Sequence, residues 1–106
     1  MAAITVQKAV EAGIVPSFVA CNAGGDTFIN DGKTYIYVKN ADSSSHDVTL
    51  TAYGKCNQGY LHDLVVAVGA SEEKIIGPFL PERFNSSGSA SLTYSAVTSM
   101  TIAAVK

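Results

Sequence analysis

Charge is what this sequence has least of. Only 15% of its 106 residues are Asp, Glu, Lys or Arg, against about 25% in an ordinary globular domain. The seven basic residues, Lys8, Lys33, Lys39, Lys55, Lys74, Arg83 and Lys106, are scattered. No stripe exists that could displace counterions from a phosphate backbone, so nucleic acid is not an expected partner. Tryptophan is absent and proline occurs three times. Long apolar runs are also lacking. The stretch around Leu64–Val68 falls far short of the ~20 residues of a membrane helix, so no membrane association is expected. The first eight residues do not place a basic region before an apolar one. No secretion signal is therefore expected, and synthesis in a cytoplasm is. The two cysteines, Cys21 and Cys56, lack the C-x-x-C spacing of a zinc site. In a reducing compartment they are expected to pack as thiols, although their number alone permits a disulfide.

What the chain does have is 47% hydrophobic residues and nine glycines, with abundant Ser and Thr, over a length suited to one domain. The dominant pattern has period two, as in half-buried strands. Tyr35 and Tyr37 alternate with Ile36 and Val38. Val48, Leu50 and Ala52 alternate with Thr49, Thr51 and Tyr53. Leu64, Val66 and Val68 form a third inward set, and residues 89–94 and 99–105 close the chain in the same way. Turn clusters separate these runs, among them Asn30-Asp31-Gly32, a hairpin-like signal because Gly accepts positive φ. Residues 6–14 permit a helical turn that Gly13 and Pro16 would end, and an irregular strand is the preferred reading. The expectation is an all-β fold: an antiparallel sandwich of seven or eight strands, Ig-like or jelly-roll-like, forming one domain over residues 1–106 with residues 1–24 as an irregular arm.

The chemistry-like features are weak. His46-Asp47 and His62-Asp63 suggest hydrolytic machinery, but adjacent strand residues point to opposite faces, so neither Asp can orient the His beside it. Both pairs are expected to open strands at a solvated end. There is no Gly-x-Ser-x-Gly elbow. Glu72-Glu73 is a turn rather than a carboxylate pair across a cleft, and Gly24-Gly25-Asp26 lacks the Lys-Ser/Thr of a phosphate loop. Asn85-Ser86-Ser87 matches a glycosylation sequon that has no meaning without secretion. No catalytic, cofactor or metal residues are expected. Of the five tyrosines, Tyr35, Tyr37 and Tyr53 are the surface candidates, for an interface or for sugar stacking.

The segment Ile75-Ile76-Gly77-Pro78-Phe79-Leu80-Pro81-Glu82-Arg83-Phe84-Asn85 must break a strand, since Pro cannot donate to a ladder. It reads as a corner between sheets, plugged by Phe79 and Phe84, or as a rigid contact loop in which Pro78, Phe79, Pro81, Arg83 and Phe84 are the candidates. Here a resemblance enters. Asn30-Asp31-Gly32-Lys33-Thr34 leading into Ile36-Tyr37-Val38-Lys39-Asn40, then Ile76-Gly77-Pro78-Phe79, Arg83-Phe84-Asn85, and Leu92-Thr93-Tyr94-Ser95 with Val97-Thr98 resemble small proteins encoded among the head genes of tailed bacteriophages. The likeness runs from Gly25 onward. It implies a β-sandwich virion component, of the kind that decorates or cements capsids, binding the major capsid protein or another virion protein as a homo-oligomer, with no cofactor. No functional residues carry over, since such proteins have no catalytic set. A carbohydrate-binding or adhesion module is the alternative.

Overall fold

The computed structural model describes residues 2–54 and 63–106. Eleven strands and one short helix follow in order: β1 (Ala2–Ala3), β2 (Val6–Gln7), β3 (Val19–Ala20), β4 (Asp26–Ile29), β5 (Tyr35–Asn40), β6 (His46–Leu50), β7 (Leu64–Val68), β8 (Glu73–Ile76), α1 (Pro81–Phe84), β9 (Asn85–Ser86), β10 (Ser89–Tyr94) and β11 (Met100–Val105). Two sheets pack face to face as a β-sandwich, one ordered β1-β4-β10-β6-β7 and the other β2-β11-β5-β8.

The pairing identifies which sandwich it is. β3 pairs β11, β4 pairs β10, β5 pairs β8 and β6 pairs β7, all antiparallel. These pairs are nested, the outermost strand with the last and the innermost with its neighbour, as in one long hairpin. Rolling that hairpin brings β10 beside β6 and β11 beside β5. This rolled, eight-strand arrangement is a jelly roll, the second of the two expected forms.

Three details depart from expectation. The arm is not wholly irregular: β1 runs parallel to β4 and β2 parallel to β11, so both sheets are mixed. These two-residue strands, with β3 and β9, raise the strand count to eleven and are too short for a period-two pattern to reveal. Asn30-Asp31-Gly32 does make a tight turn, with Gly32 at φ +86° and the Asn30 side chain accepting from the Gly32 N–H at 3.0 Å. It is not a hairpin, however, because β4 and β5 lie in different sheets.

The core is the alternation made solid. Ile36, Val38, Val48, Leu50, Leu92, Ile102 and Val68 are fully buried, while their strand neighbours are half-buried or exposed except Ser91 and Ala103. Phe28, Phe79 and Phe84 close one end, with Phe79 centred 5.8 Å from Phe28 and 5.7 Å from Phe84. Full burial of an aromatic ring is among the larger single contributions to a core of this size. Phe84→Ala is therefore expected to lower stability by about 3–5 kcal/mol. Leu80→Ala, one turn away but exposed, should change it by no more than about 0.5 kcal/mol. Urea denaturation of the two variants measures the contrast, and equal midpoints would show that Phe84 is not core.

Candidate functional site

The corner residues divide sharply. Phe79 and Phe84 are buried, so their rings plug the core and are not available to a partner. Pro78 is exposed, and Pro81 and Arg83 are half-buried. The corner is tightly tied. The Asn30 side chain donates to the Asn85 side-chain oxygen at 2.8 Å and to the Phe79 carbonyl at 3.3 Å, and the Asn85 side chain donates back to the Asn30 carbonyl at 2.8 Å. The N–H groups of Tyr53 and Gly54 both donate to the Arg83 carbonyl. A side chain at Gly54 would place its first carbon 1.9 Å from the Glu82 carbonyl oxygen, which is why this position tolerates only glycine. Pro78, Leu80 and Glu82 are the side chains the corner exposes.

The three surface tyrosines do not form one platform. Tyr35 and Tyr37 lie on the outer face of the β2-β11-β5-β8 sheet, where Tyr37 is opposite Ile75 and Tyr35 opposite Val105. Tyr37 is half-covered: Phe18 meets it edge-on at 5.1 Å, and its hydroxyl donates to Glu73 at 2.7 Å. That bond to a carboxylate raises the phenol's pKa. Lys39 caps Phe18 at 4.1 Å. Ala103, opposite Tyr37 on this outward side, is nonetheless fully buried. The part of the face left open is a groove of about 220 Å³ lined by Pro16, Tyr35, Tyr37, Ile75 and Val105.

Tyr53 lies on the opposite sheet, among hydroxyls. The outward positions of β4, β10, β6 and β7 are Thr27 and Ile29; Ser89, Ser91 and Thr93; Asp47 and Thr49; Val65 and Ala67. Thr27 is opposite Ser91, and Thr93 is opposite Thr49. The Tyr53 hydroxyl donates to the Ser91 hydroxyl at 3.1 Å. Asp47 is the one charged side chain at these positions. The domain is thus a slab with two unlike outer faces: one mixes hydroxyls with the exposed Ile29 and Val65, and the other sets an apolar groove beside the Lys39–Glu73 pair.

Chemistry-bearing residues gather at the end of the roll away from the phenylalanines. His46 opens β6 as expected but is buried, not solvated, and its Nε2 lies 2.9 Å from an Asp42 oxygen. The partner is four residues upstream, brought back by the turn after β5. Asn40 holds that turn, donating to the carbonyls of Ser44 and Val68 while accepting from the Asp42 N–H. The Ser43 N–H and His46 lower the Asp42 pKa. His62 and Cys56 lie outside the described residues.

Nearby, the free thiol of Cys21 is buried, and Tyr94 donates a 2.5 Å hydrogen bond to Asp26. Burial pushes the Cys21 pKa up to about 11, and it raises that of Tyr94 as well, reinforced by the bond to Asp26. A protonated thiol is a poor nucleophile, and Asp26 is occupied by Tyr94 and the Asn22 N–H. Among the described residues no three His, Cys, Asp or Glu side chains are grouped to hold a metal ion. No family model matches the chain, and neither the curated proteins nor the solved structures provide a match. Any functional reading therefore rests on the surfaces themselves.

The buried thiol makes a pH prediction. Its folded pKa of about 11 lies above its ordinary value of 9.0, so the unfolded chain loses this proton first as pH rises. Stability is then whole below about pH 9 and falls between about pH 9 and 11. Cys21→Ala should flatten the profile between about pH 9 and 10, leaving the fall that the Tyr94 phenol begins near its ordinary value of 10.0. Denaturation midpoints from pH 7 to 11 provide the measurement, and identical slopes for both proteins would contradict it.

Proposed function

We propose that this chain is a non-enzymatic structural protein of a bacteriophage particle, attached to the capsid surface as a decoration or cement protein. The observation that carries the reading is the hydroxyl face: three strands presenting Thr27, Ser89, Thr93 and Thr49 with a single charge, Asp47, while the buried Ser91 hydroxyl holds Tyr53. A rigid, flat, weakly charged surface of this kind suits a wet polar interface, in which bridging waters are as common as direct bonds. The jelly roll supplies the rigidity. Its groups at the polar end are used in holding turns together: His46 with Asp42, and Tyr94 with Asp26. Modest affinity per copy is sufficient on a lattice, because linked copies bind with a high effective concentration. The major capsid protein is the partner such a lattice offers, and the resemblance of the Asn30–Asn40 and Ile76–Asn85 segments to phage head proteins points the same way.

The carbohydrate-binding reading has one observation in its favour: the exposed Tyr53 ring lies on the same face, among hydroxyls. The two readings part under test. Particles of the encoding phage, purified with and without the gene, should differ by this chain in mass spectrometry and by surface density in electron microscopy. Thr93→Arg should abolish rebinding to particles that lack the protein while leaving the thermal melt unchanged, since Thr93 is exposed. Absence of the chain from purified virions would end the proposal. Binding of Tyr53-dependent glycans by such a protein would establish the alternative.

A further inference from the structure

A sandwich has two strand edges for each sheet, and every edge is a row of backbone groups open to pairing. Among the described residues, three of the four edges are blunted. β1 covers β4 with two residues, and β2 and β3 do the same for β11. The third is β7. The Thr51 N–H donates to the Ser91 carbonyl and the Ser95 N–H to the Asp47 carbonyl, so the odd-numbered residues of β6 face β10 and the even-numbered ones face β7. In the register of β6 with β7, this turns the backbone groups of Val65 and Ala67 outward. Lys74 reaches across from β8 and donates to the Ala67 carbonyl at 2.6 Å. A strand laid against β7 must first break that bond. β8 has no such guard. The Asn40 N–H donates to the Glu72 carbonyl at 2.9 Å, which makes Lys74 and Ile76 the residues that exchange bonds with Val38 and Ile36. The N–H and C=O groups of Glu73 and Ile75 therefore point away from the sheet, and none of them has a partner among the described residues. Ile75 is 67% exposed. The Glu73 carboxylate takes both of its contacts, the Tyr37 hydroxyl at 2.7 Å and the Lys39 ammonium at 3.9 Å, on Oε1. Its Oε2 is left open.

We propose that β8 is a docking edge for an extended segment of another protein, added antiparallel to it, with an aliphatic side chain opposite Ile75 and a Lys or Arg two residues later opposite Glu73. The backbone groups select an extended chain, because only a strand presents N–H and C=O groups at the matching repeat. The side chains select its sequence, because directly opposed residues on one face of a sheet are in contact. An aliphatic neighbour covers Ile75, and a cation reaches the open Oε2 of Glu73. The same edge of a second copy is a poor fit. A two-fold pairing that engages these groups sets Glu73 against Glu73, with like charges opposed, or sets Glu73 against Ile75. Centring it on Ile75 instead brings Glu73 against Gly77, whose φ of +127° is not that of a strand. The β7 edge of a second copy is closed by Lys74. A foreign strand meets both requirements at once. The inference stands apart from the particle role, since it concerns the edge of one sheet and is tested on the chain alone.

Amide hydrogen exchange of the whole chain, read by NMR, tests it. The probe is the blocked synthetic peptide Thr-Thr-Ile-Thr-Lys-Thr-Thr. In the free chain the Glu73 and Ile75 amides should exchange at least about tenfold faster than those of Lys74 and Ile76, which lie in the ladder. The peptide at ~1 mM should slow both at least about twofold, as half-occupancy requires, and should leave Val65 and Ala67 unchanged. The same peptide with Asp in place of Lys should protect less, and Glu73→Lys should reverse that preference. Ile75→Pro should abolish the protection of Glu73 with circular dichroism unchanged, because proline is tolerated where an edge N–H faces solvent. If that variant unfolds, the Glu73→Lys reversal decides, since its side chain is exposed. Edge amides already protected in the dilute free chain overturn the inference. So does a peptide that protects neither amide, or equal protection by the Lys and Asp peptides. Protection that rises with the concentration of the chain alone gives the edge to a second copy and overturns it as well. None of these outcomes bears on whether purified virions contain the chain, which decides the particle role separately.

Discussion

A rolled sandwich is open at both ends, and closing those ends is the constraint on which this structure depends. Strand alternation fills the middle without difficulty, because each inward side chain has an outward neighbour facing solvent. At the ends, strands become turns, whose backbone groups need partners, while the apolar layer still needs cover. Leaving a buried polar group without a partner costs about 1–3 kcal/mol, so a purely apolar lid would fail. The chain resolves this by pairing each lid with a polar tie. At one end the rings of Phe28, Phe79 and Phe84 provide the cover, and the reciprocal Asn30–Asn85 bonds satisfy the turn and the corner together. At the other, Asn40, His46 with Asp42, and Tyr94 with Asp26 do both jobs.

The same account explains why Asn30-Asp31-Gly32 and Arg83-Phe84-Asn85 are a turn and a corner and not a constellation of reactive groups. Asn30-Asp31-Gly32 and Arg83-Phe84-Asn85 lie 55 positions apart at their asparagines, yet they are two sides of one joint. A chain that retains this joint retains the roll, whatever its surfaces bind. These segments therefore speak first to architecture, and function must be argued from the faces, which the joint leaves free to vary.

How much of this was legible in the sequence follows from the range of each signal. Ile36 and Val38 inward with Tyr35 and Tyr37 outward, and Val48, Leu50 and Ala52 inward, could be read because strand alternation is local. The nesting of β3 with β11 and β4 with β10 could not, since it joins residues most of a chain apart. Asn30-Asp31-Gly32 showed a tight turn but not its destination: turn chemistry sets φ and ψ and is silent on which sheet receives the next strand. The burial of His46 does not show in the dipeptide His46-Asp47, whose Asp is not its partner. The true partner, Asp42, is set by the turn that Asn40 holds, and an Asn followed two residues later by Asp was the available hint. Phe79 and Phe84 were assigned both a plug and a contact role, and only packing could separate them.

The two faces carry the rest of the argument. A jelly roll has two outer surfaces that experience the same solvent, and nothing in the fold requires them to differ. In this chain they do: one mixes the hydroxyls of Thr27, Ser89, Thr93 and Thr49 with exposed Ile29 and Val65, while the other holds Ile75 and Tyr35 open beside a loop that displays Val15. Isolated apolar residues on a surface need no explanation, but several gathered beside one loop mark a place built for contact. The low overall charge fits this arrangement, because fewer charged groups must be stripped of water when a face is covered. Two sides of such different chemistry can hold two kinds of neighbour without competition between them. Under the particle role proposed above, that division of labour is what would let the chain act through assembly.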